Sequence, residues 1–278
     1  MQEKEISLKG KRLFYRTQGN GPAIVLVHGF GEDGMVWKAQ FDAFPENKLI
    51  IPDLPGSGKS EMIEDMSIEG LAEAIHQLIV HEQATLFYKE GEPDSVILIG
   101  HSMGGYITLA FAEKYHHMLN GFGLFHSSSF ADTDEKKEVR QKGIAFIEQY
   151  GAFEFLKTTI PNLYCSTTKQ QNGTIIEEHI NTVRNFSNAA LVSYYVSMMK
   201  RPDRSELLKK THLPVLFIMG KYDTAVPLED GLKQCHLPNQ SYVHILENSG
   251  HMGMAEEPGM SNQILNQYLK ATSNKLPS

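Results

Sequence analysis

The chain has 278 residues, 41% of them hydrophobic and 21% charged, which suits one large α/β domain or a domain carrying an insert. Its 26 Lys and Arg against 33 Asp and Glu give a formal net charge of −7, so there is no basic surplus to gather it on nucleic acid or anionic lipid. Charge alone favours a small, uncharged or cationic ligand, and no apolar run approaches the roughly 18 residues of a membrane span.

The N-terminal stretch MQEKEISLKGKR alternates charges around no apolar centre, unlike a signal peptide, which predicts a soluble, cytoplasmic protein. EISLKGKRLFYRTQGNG reads as a hairpin turning at Lys9 to Lys11. Short β-branched runs follow: AIVLVH (23–28), KLIIP (48–52), SVILIG (95–100), GFGLFH (121–126), PVLFIMG (214–220) and YVHIL (242–246). Near-continuous runs of this length suit parallel strands covered on both faces. Between them, SIEGLAEAIHQLIV sets Ile68, Leu71, Ala72, Ile75, Leu78 and Ile79 at helical spacing behind Ser67 as N-cap. MGGYITLAFAEKY (103–115) and SNQILNQYLK (261–270) also read as helices, so the alternation predicts a mostly parallel, doubly wound α/β sheet.

One stretch interrupts that alternation. From Ala131 to about Ser205 there is no strand run, only helical text such as DEKKEVRQKGIAFIEQY and IIEEHINTVRNFSNAALVSYYVSMMK. A helical insertion over 131–205 is therefore expected between core segments 1–130 and 206–278. The two cysteines, Cys165 and Cys235, have no metal-like spacing and suit a reducing compartment, although sequence alone leaves one disulfide open.

Two glycine-rich loops invite nucleotide readings. DLPGSGKS (53–60) ends like a phosphate loop, but Asp53 stands where its first glycine belongs, Pro55 removes an amide donor, and Glu61, Glu64 and Asp65 would repel a phosphate. Gly29, Gly31 and Gly34 match G-x-G-x-x-G, with Asp53 19 residues beyond as the acidic ribose ligand. Against that fingerprint, Glu32 and Asp33 sit where a pyrophosphate must approach, and the helix expected over Met35 to about Phe44 is short. The glycines need do no more than permit a tight turn.

A third constellation carries more chemistry. SVILIGHSMGGYITLAFA sets Gly100, His101, Ser102, Met103 and Gly104 as G-x-S-x-G between a strand and a helix, the context in which a sharp turn lifts a serine Oγ clear of the sheet. A serine hydroxyl needs a base, so an acid and then a histidine should follow at later strand ends. Asp223 follows PVLFIMG, and His251 follows YVHIL. The order Ser102, Asp223, His251 predicts a catalytic triad, with Asp132 as the lesser alternative to Asp223 because Ser127 to Ser129 separate it from its strand. His101 and His126 adjoin strand ends near the site and are candidate substrate-pocket residues. His76 and His81 are five apart, and no metal site is expected.

Taken together, HGFGEDGMVW, DLPGSGKS, GHSMGG, PVLFIMGKYD and NSGHMGMAEEP resemble, over nearly the whole chain, the α/β-hydrolases of the lidded esterase-like branch. The resemblance implies an α/β-hydrolase fold with 131–205 as helical lid, and backbone N–H groups of Phe30 and Met103 as the oxyanion hole. It implies a serine carboxylesterase acting on a small or medium ester through an acyl-enzyme, with no metal or organic cofactor. Serine at position 102 disfavours the aspartate-nucleophile members. A ligand receptor on the same scaffold, or thioester, lactone or carbon–carbon bond hydrolysis, uses the same residues. Of the insert's Phe153, Phe155, Tyr164, Tyr194, Tyr195, Met198 and Met199, most are expected to pack the insert and some to line the acyl pocket. DLPGSGKS becomes a tight turn in which Asp53 and Ser60 bond locally and Lys59 is solvated.

Overall fold

The computed structural model describes residues 1–84 and 95–273. The N-terminal hairpin forms, β1 (Gln2–Leu8) against β2 (Lys11–Gln18), turning through Lys9 at φ 49° and Gly10 at φ 83°. Two left-handed residues in succession give a turn whose twist matches that of the strands it joins. Five of the apolar runs become β3 (Ala23–Val27), β4 (Lys48–Pro52), β5 (Val96–His101), β6 (Leu119–Phe125) and β7 (Val215–Gly220), and the sixth becomes β8 (Ser241–Leu246). The sheet order is β1-β2-β4-β3-β5-β6-β7-β8, with β2 antiparallel to both its neighbours and every later pairing parallel.

Strand periodicity divides the core into two layers. Val25 and Val27 face α1 (Ile68–Ala84) and α2 (Met103–Tyr115), while Ile24 and Leu26 face Trp37 and the C-terminal helix. Ser67 caps α1 through Oγ, which accepts from the Gly70 N–H at 3.0 Å. β8 departs from expectation: it is the last strand of the sheet, and Val243 and Ile245 remain exposed rather than covered on both faces. The helix expected over Met35 to Phe44 is a 3₁₀ turn over Gly34–Gln40, in which Gly34, Trp37 and Gln40 are buried at the three-residue repeat of that geometry.

Between β6 and β7 the chain forms α3 (Asp134–Tyr150), α4 (Ala152–Thr159), α5 (Ser166–Gln171), α6 (Gly173–Thr182), α7 (Asn188–Lys200) and α8 (Ser205–Lys210), with no strand among the described residues. α3 starts where Thr133 accepts from the Lys136 N–H, and it ends at Gly151, φ 94°. The last of these helices runs five residues past the expected boundary, because the Asp203 carboxylate accepts from the Ser205 N–H and starts α8 there. After β7 come α9 (Leu228–Gln234), β8, the short α10 (Gly253–Glu256) and α11 (Pro258–Ser273). Cys165 and Cys235 are both unpaired, and no helix of the described residues is long and apolar enough to cross a membrane.

Candidate active site

Ser102 stands between β5 and α2 at φ 52°, ψ −117°, a region that non-glycine residues avoid at a cost of roughly 1–3 kcal/mol. The strain is held by close neighbours. The Ser102 N–H donates to the Phe125 carbonyl at 2.9 Å, and its carbonyl accepts from the Ser127 hydroxyl at 2.7 Å. A Cβ on Gly100 would lie 2.1 Å from the Gly104 carbonyl oxygen, and one on Gly104 would lie 2.5 Å from the Val27 carbonyl oxygen, so the turn closes only with glycine at both positions. Met103 opens α2, so its N–H is among the first of the helix, which have no acceptor within it.

Asp223 follows β7, and its carboxylate is fully committed. Oδ1 accepts the Ala225 and Val226 N–H groups, both at 2.9 Å, and Oδ2 accepts Nδ1 of His251 at 2.8 Å and Nδ1 of His126 at 3.1 Å. The tautomer of His126 is set from its other side. The Gly253 N–H donates to Nε2 at 3.2 Å, which leaves the proton on Nδ1 to face Asp223. Donor atoms of His126, Asp223 and His251 lie within 4.8 Å of one another, but hydrogen bonds account for them without an ion. Burial alone would raise the Asp223 pKa, and the two histidines beside it more than reverse that, holding it well below the usual carboxylate range. Burial pulls His251 down, yet the Asp223 charge, with Glu32 and Glu256 behind it, holds its pKa above the ordinary 6.5. His126, with burial dominant, falls to about 4 and stays neutral.

Ser102 and His251 line one cavity of about 160 Å³, closed by Phe30 and Glu32 from the loop after β3 and by Phe155, Tyr195 and Met198 from the helices between β6 and β7. Phe30 stacks on Tyr195 at 4.2 Å. Of the seven insert residues singled out in sequence, these three face the cavity. Tyr194 instead donates to the Pro55 carbonyl at 2.6 Å, and Tyr164 walls a larger groove of about 700 Å³ that meets the cavity at Glu32 and His179.

The expectation that His101 and His126 touch substrate meets a different geometry. Both rings are buried, and neither lines the cavity. His101 places Nε2 at 2.9 Å from the His251 carbonyl and Nδ1 at 3.0 Å from the Glu32 carboxylate, and so ties two walls of the site together. Glu32 also accepts the Gly29 N–H at 2.6 Å; although burial opposes its ionisation, the His101 ring lowers its pKa to about 2. Sequence reasoning noticed Glu32 only as an obstacle to pyrophosphate. The available signal was an acid inside a glycine-rich loop, where its side chain can reach back to the loop's own amides. Both oxygens of Asp132 are engaged by Arg140 and Arg201, so Asp132 is spent on an ion-pair cluster.

The DLPGSGKS turn is filled by Asp53. Its carboxylate accepts from Arg16 Nη1 at 2.7 Å, the Gly34 N–H at 3.0 Å and the Lys59 N–H at 2.9 Å. A Cβ on Gly58 would lie 2.2 Å from that carboxylate. The amides that a phosphate would need are thus already used by a built-in anion. Ser60 donates to the Asp53 carbonyl at 2.6 Å, and Lys59 pairs at the surface with Glu3 at 2.8 Å.

The geometry has counterparts among known proteins. Over 273 residues the chain is 26% identical to a pimeloyl-acyl-carrier-protein methyl ester esterase of Yersinia enterocolitica, covering 95% of this chain and 99% of that one. It is 24% identical to the monoacylglycerol lipase ABHD6 of Bos taurus, covering 92% of this chain and 77% of the lipase. Among solved structures, a thermophilic esterase from Thermogutta terrifontis superposes with a TM-score of 0.88 at 28% identity, over 98% of this chain and 99% of the esterase. The family model described as "Alpha/beta hydrolase family" matches residues 24–260. The chain is a hydrolase, and it belongs to the alpha/beta hydrolase family.

Proposed function

We propose that the protein is a serine hydrolase that cleaves a small carboxylic ester through an acyl-enzyme, with Ser102 as nucleophile, His251 as base and Asp223 as its partner. The observation that carries this reading is that Ser102 and His251 face one cavity while Asp223 holds Nδ1 of His251 at 2.8 Å, which leaves Nε2 for the serine proton. Esterases among the relatives support the choice of bond. The small cavity supports a short substrate, and the helices of 131–205 act as its lid.

In this mechanism Oγ of Ser102 adds to the ester carbonyl carbon as its proton passes to His251. The amides of Phe30 and Met103 receive the oxyanion, a contribution of roughly 10²–10³ in rate for each donor. Collapse breaks the bond to the alkoxy oxygen, which leaves as alcohol with the proton from His251. Water, deprotonated by His251, then attacks the acyl carbon, and the acid departs from Ser102.

The test is turnover. The wild type should cycle many times on short-acyl nitrophenyl esters and take one fluorophosphonate per chain. Ser102→Ala should lose both while keeping its melting temperature. Labelling that survives in Ser102→Ala would refute the nucleophile, and a wild type that stalls after about one turnover would favour a ligand receptor on this scaffold.

A further inference from the structure

Arg140 lines the cavity beside Ser102, and ester hydrolysis has no use for it. It lies four residues before Ile144 and seven before Ile147, on the buried stripe of α3. A guanidinium in such a place must be answered by charge or hydrogen bonds. Asp132 answers part of it, accepting from Nε at 2.6 Å and from Nη2 at 3.2 Å.

Asp132 is shared, however. Its Oδ1 also takes Nη1 of Arg201 at 2.9 Å, so one carboxylate stands between two guanidiniums, and Asp203 is a second acid that feels the Arg201 charge. Arg201 does not line the cavity: it donates to the carbonyls of Met198 at 2.6 Å and Phe130 at 2.9 Å and lies 3.8 Å over the Tyr106 ring. Arg140 does line it, and lies 5.5 Å over the Tyr195 ring. Among the described residues nothing accepts from its Nη1, and its side chain is 18% exposed. Its electrostatic neighbours besides Asp132 are Tyr106 and Tyr195, both on the cavity wall, and Tyr195 is the ring that stacks on Phe30. Glu32, the carboxylate that lines the same cavity, is already held by Gly29 and His101.

We propose that Nη1 of Arg140, with Tyr106 on the same cavity wall, forms a carboxylate subsite, and that the substrate is an ester bearing a free carboxylate on a short spacer. The inference rests on the ester-hydrolase reading and narrows it. A cavity-lining guanidinium whose Nη1 has no acceptor among the described residues matches a carboxylate oxygen, and a cavity of about 160 Å³ admits a short spacer only. The net charge of −7 favoured an uncharged or cationic ligand, but a cation on the cavity wall bears more directly on what the cavity itself attracts.

The test compares monomethyl glutarate and monomethyl adipate with methyl pentanoate and methyl hexanoate, following acid release in a pH-stat. The wild type should favour the half-esters by roughly ten- to a hundredfold in kcat/KM, the scale of one charge-assisted hydrogen-bonded pair. In Arg140→Met that ratio should collapse towards one, Arg140→Lys should keep part of it, and Tyr106→Phe should lower it severalfold. A wild-type ratio near one, or a ratio unmoved by Arg140→Met, overturns the subsite; if Arg140→Met does not fold, the wild-type ratio and Tyr106→Phe decide. Fluorophosphonate labelling with turnover of the neutral esters alone, or of neither series, defeats this inference and leaves the serine in place. Loss of labelling as well defeats the ester-hydrolase reading beneath it.

Discussion

Two histidines donate to a single oxygen of Asp223, and they differ in what they can do next. His251 keeps Nε2 for chemistry, whereas both nitrogens of His126 are occupied. Under the proposed triad, His126 is therefore a positioning residue that draws off part of the aspartate's charge. In the proposed mechanism His251 must be neutral to accept the serine proton, so kcat/KM should rise with pH through a midpoint above 6.5, where Asp223 holds the His251 pKa. Removing the second donor leaves Asp223 more basic and should move that midpoint upward in His126→Leu. His126→Asn can present an amide N–H in the same direction and tolerates the φ of 50° at this position, so its midpoint should stay close to the wild type's. Coincident pH–rate profiles for all three proteins would reduce His126 to packing.

At the scale of elements, the turn between β5 and α2 depends on how closely α2 approaches the carbonyls ending β3. Gly104→Ala would place a Cβ 2.5 Å from the Val27 oxygen and 2.6 Å from that of His28, and backbone cannot move aside as a side chain can. The expected cost is about 1–3 kcal/mol, read as a fall of several degrees in the melting temperature with loss of turnover; an alanine variant that melts like the wild type would contradict this account of the turn. This element was legible in the sequence because glycine spacing and an apolar run report local geometry directly. So were β3 to β7, α1 and α2. The 3₁₀ turn at Gly34–Gln40 and the half-exposed β8 were less legible, since the first depends on which side chains are buried and the second on sheet order. Glu32, His126 and Arg140 take their roles from partners 69, 97 and 8 residues away, and no local pattern announces the two long-range ones. Arg140 left a trace that could have been read: a cation on the apolar stripe of α3.

At the scale of the molecule, the helices between β6 and β7 do more than cover the cavity. The His251 N–H donates to the Leu163 carbonyl at 2.7 Å. Glu256 accepts from the Cys165 N–H at 2.8 Å through one oxygen and from the Gly250 N–H at 2.7 Å through the other. The loop that carries His251 is thus sewn to the chain between α4 and α5. Replacing 134–200 by a short linker should therefore yield a folded core whose kcat falls by orders of magnitude, measured with fluorophosphonate labelling as well as turnover; a core that keeps its rate and accepts bulkier esters would show a detachable cover. α7 is fastened as well, Tyr194 to the Pro55 carbonyl at 2.6 Å and Ser197 to the Met66 carbonyl, so the helices over the cavity are tied to the core on both sides. Arg140 stands on α3 of the same cover, so under the carboxylate-subsite proposal a bound substrate would add a tie of its own, and the protein would be most firmly shut on the substrate it fits.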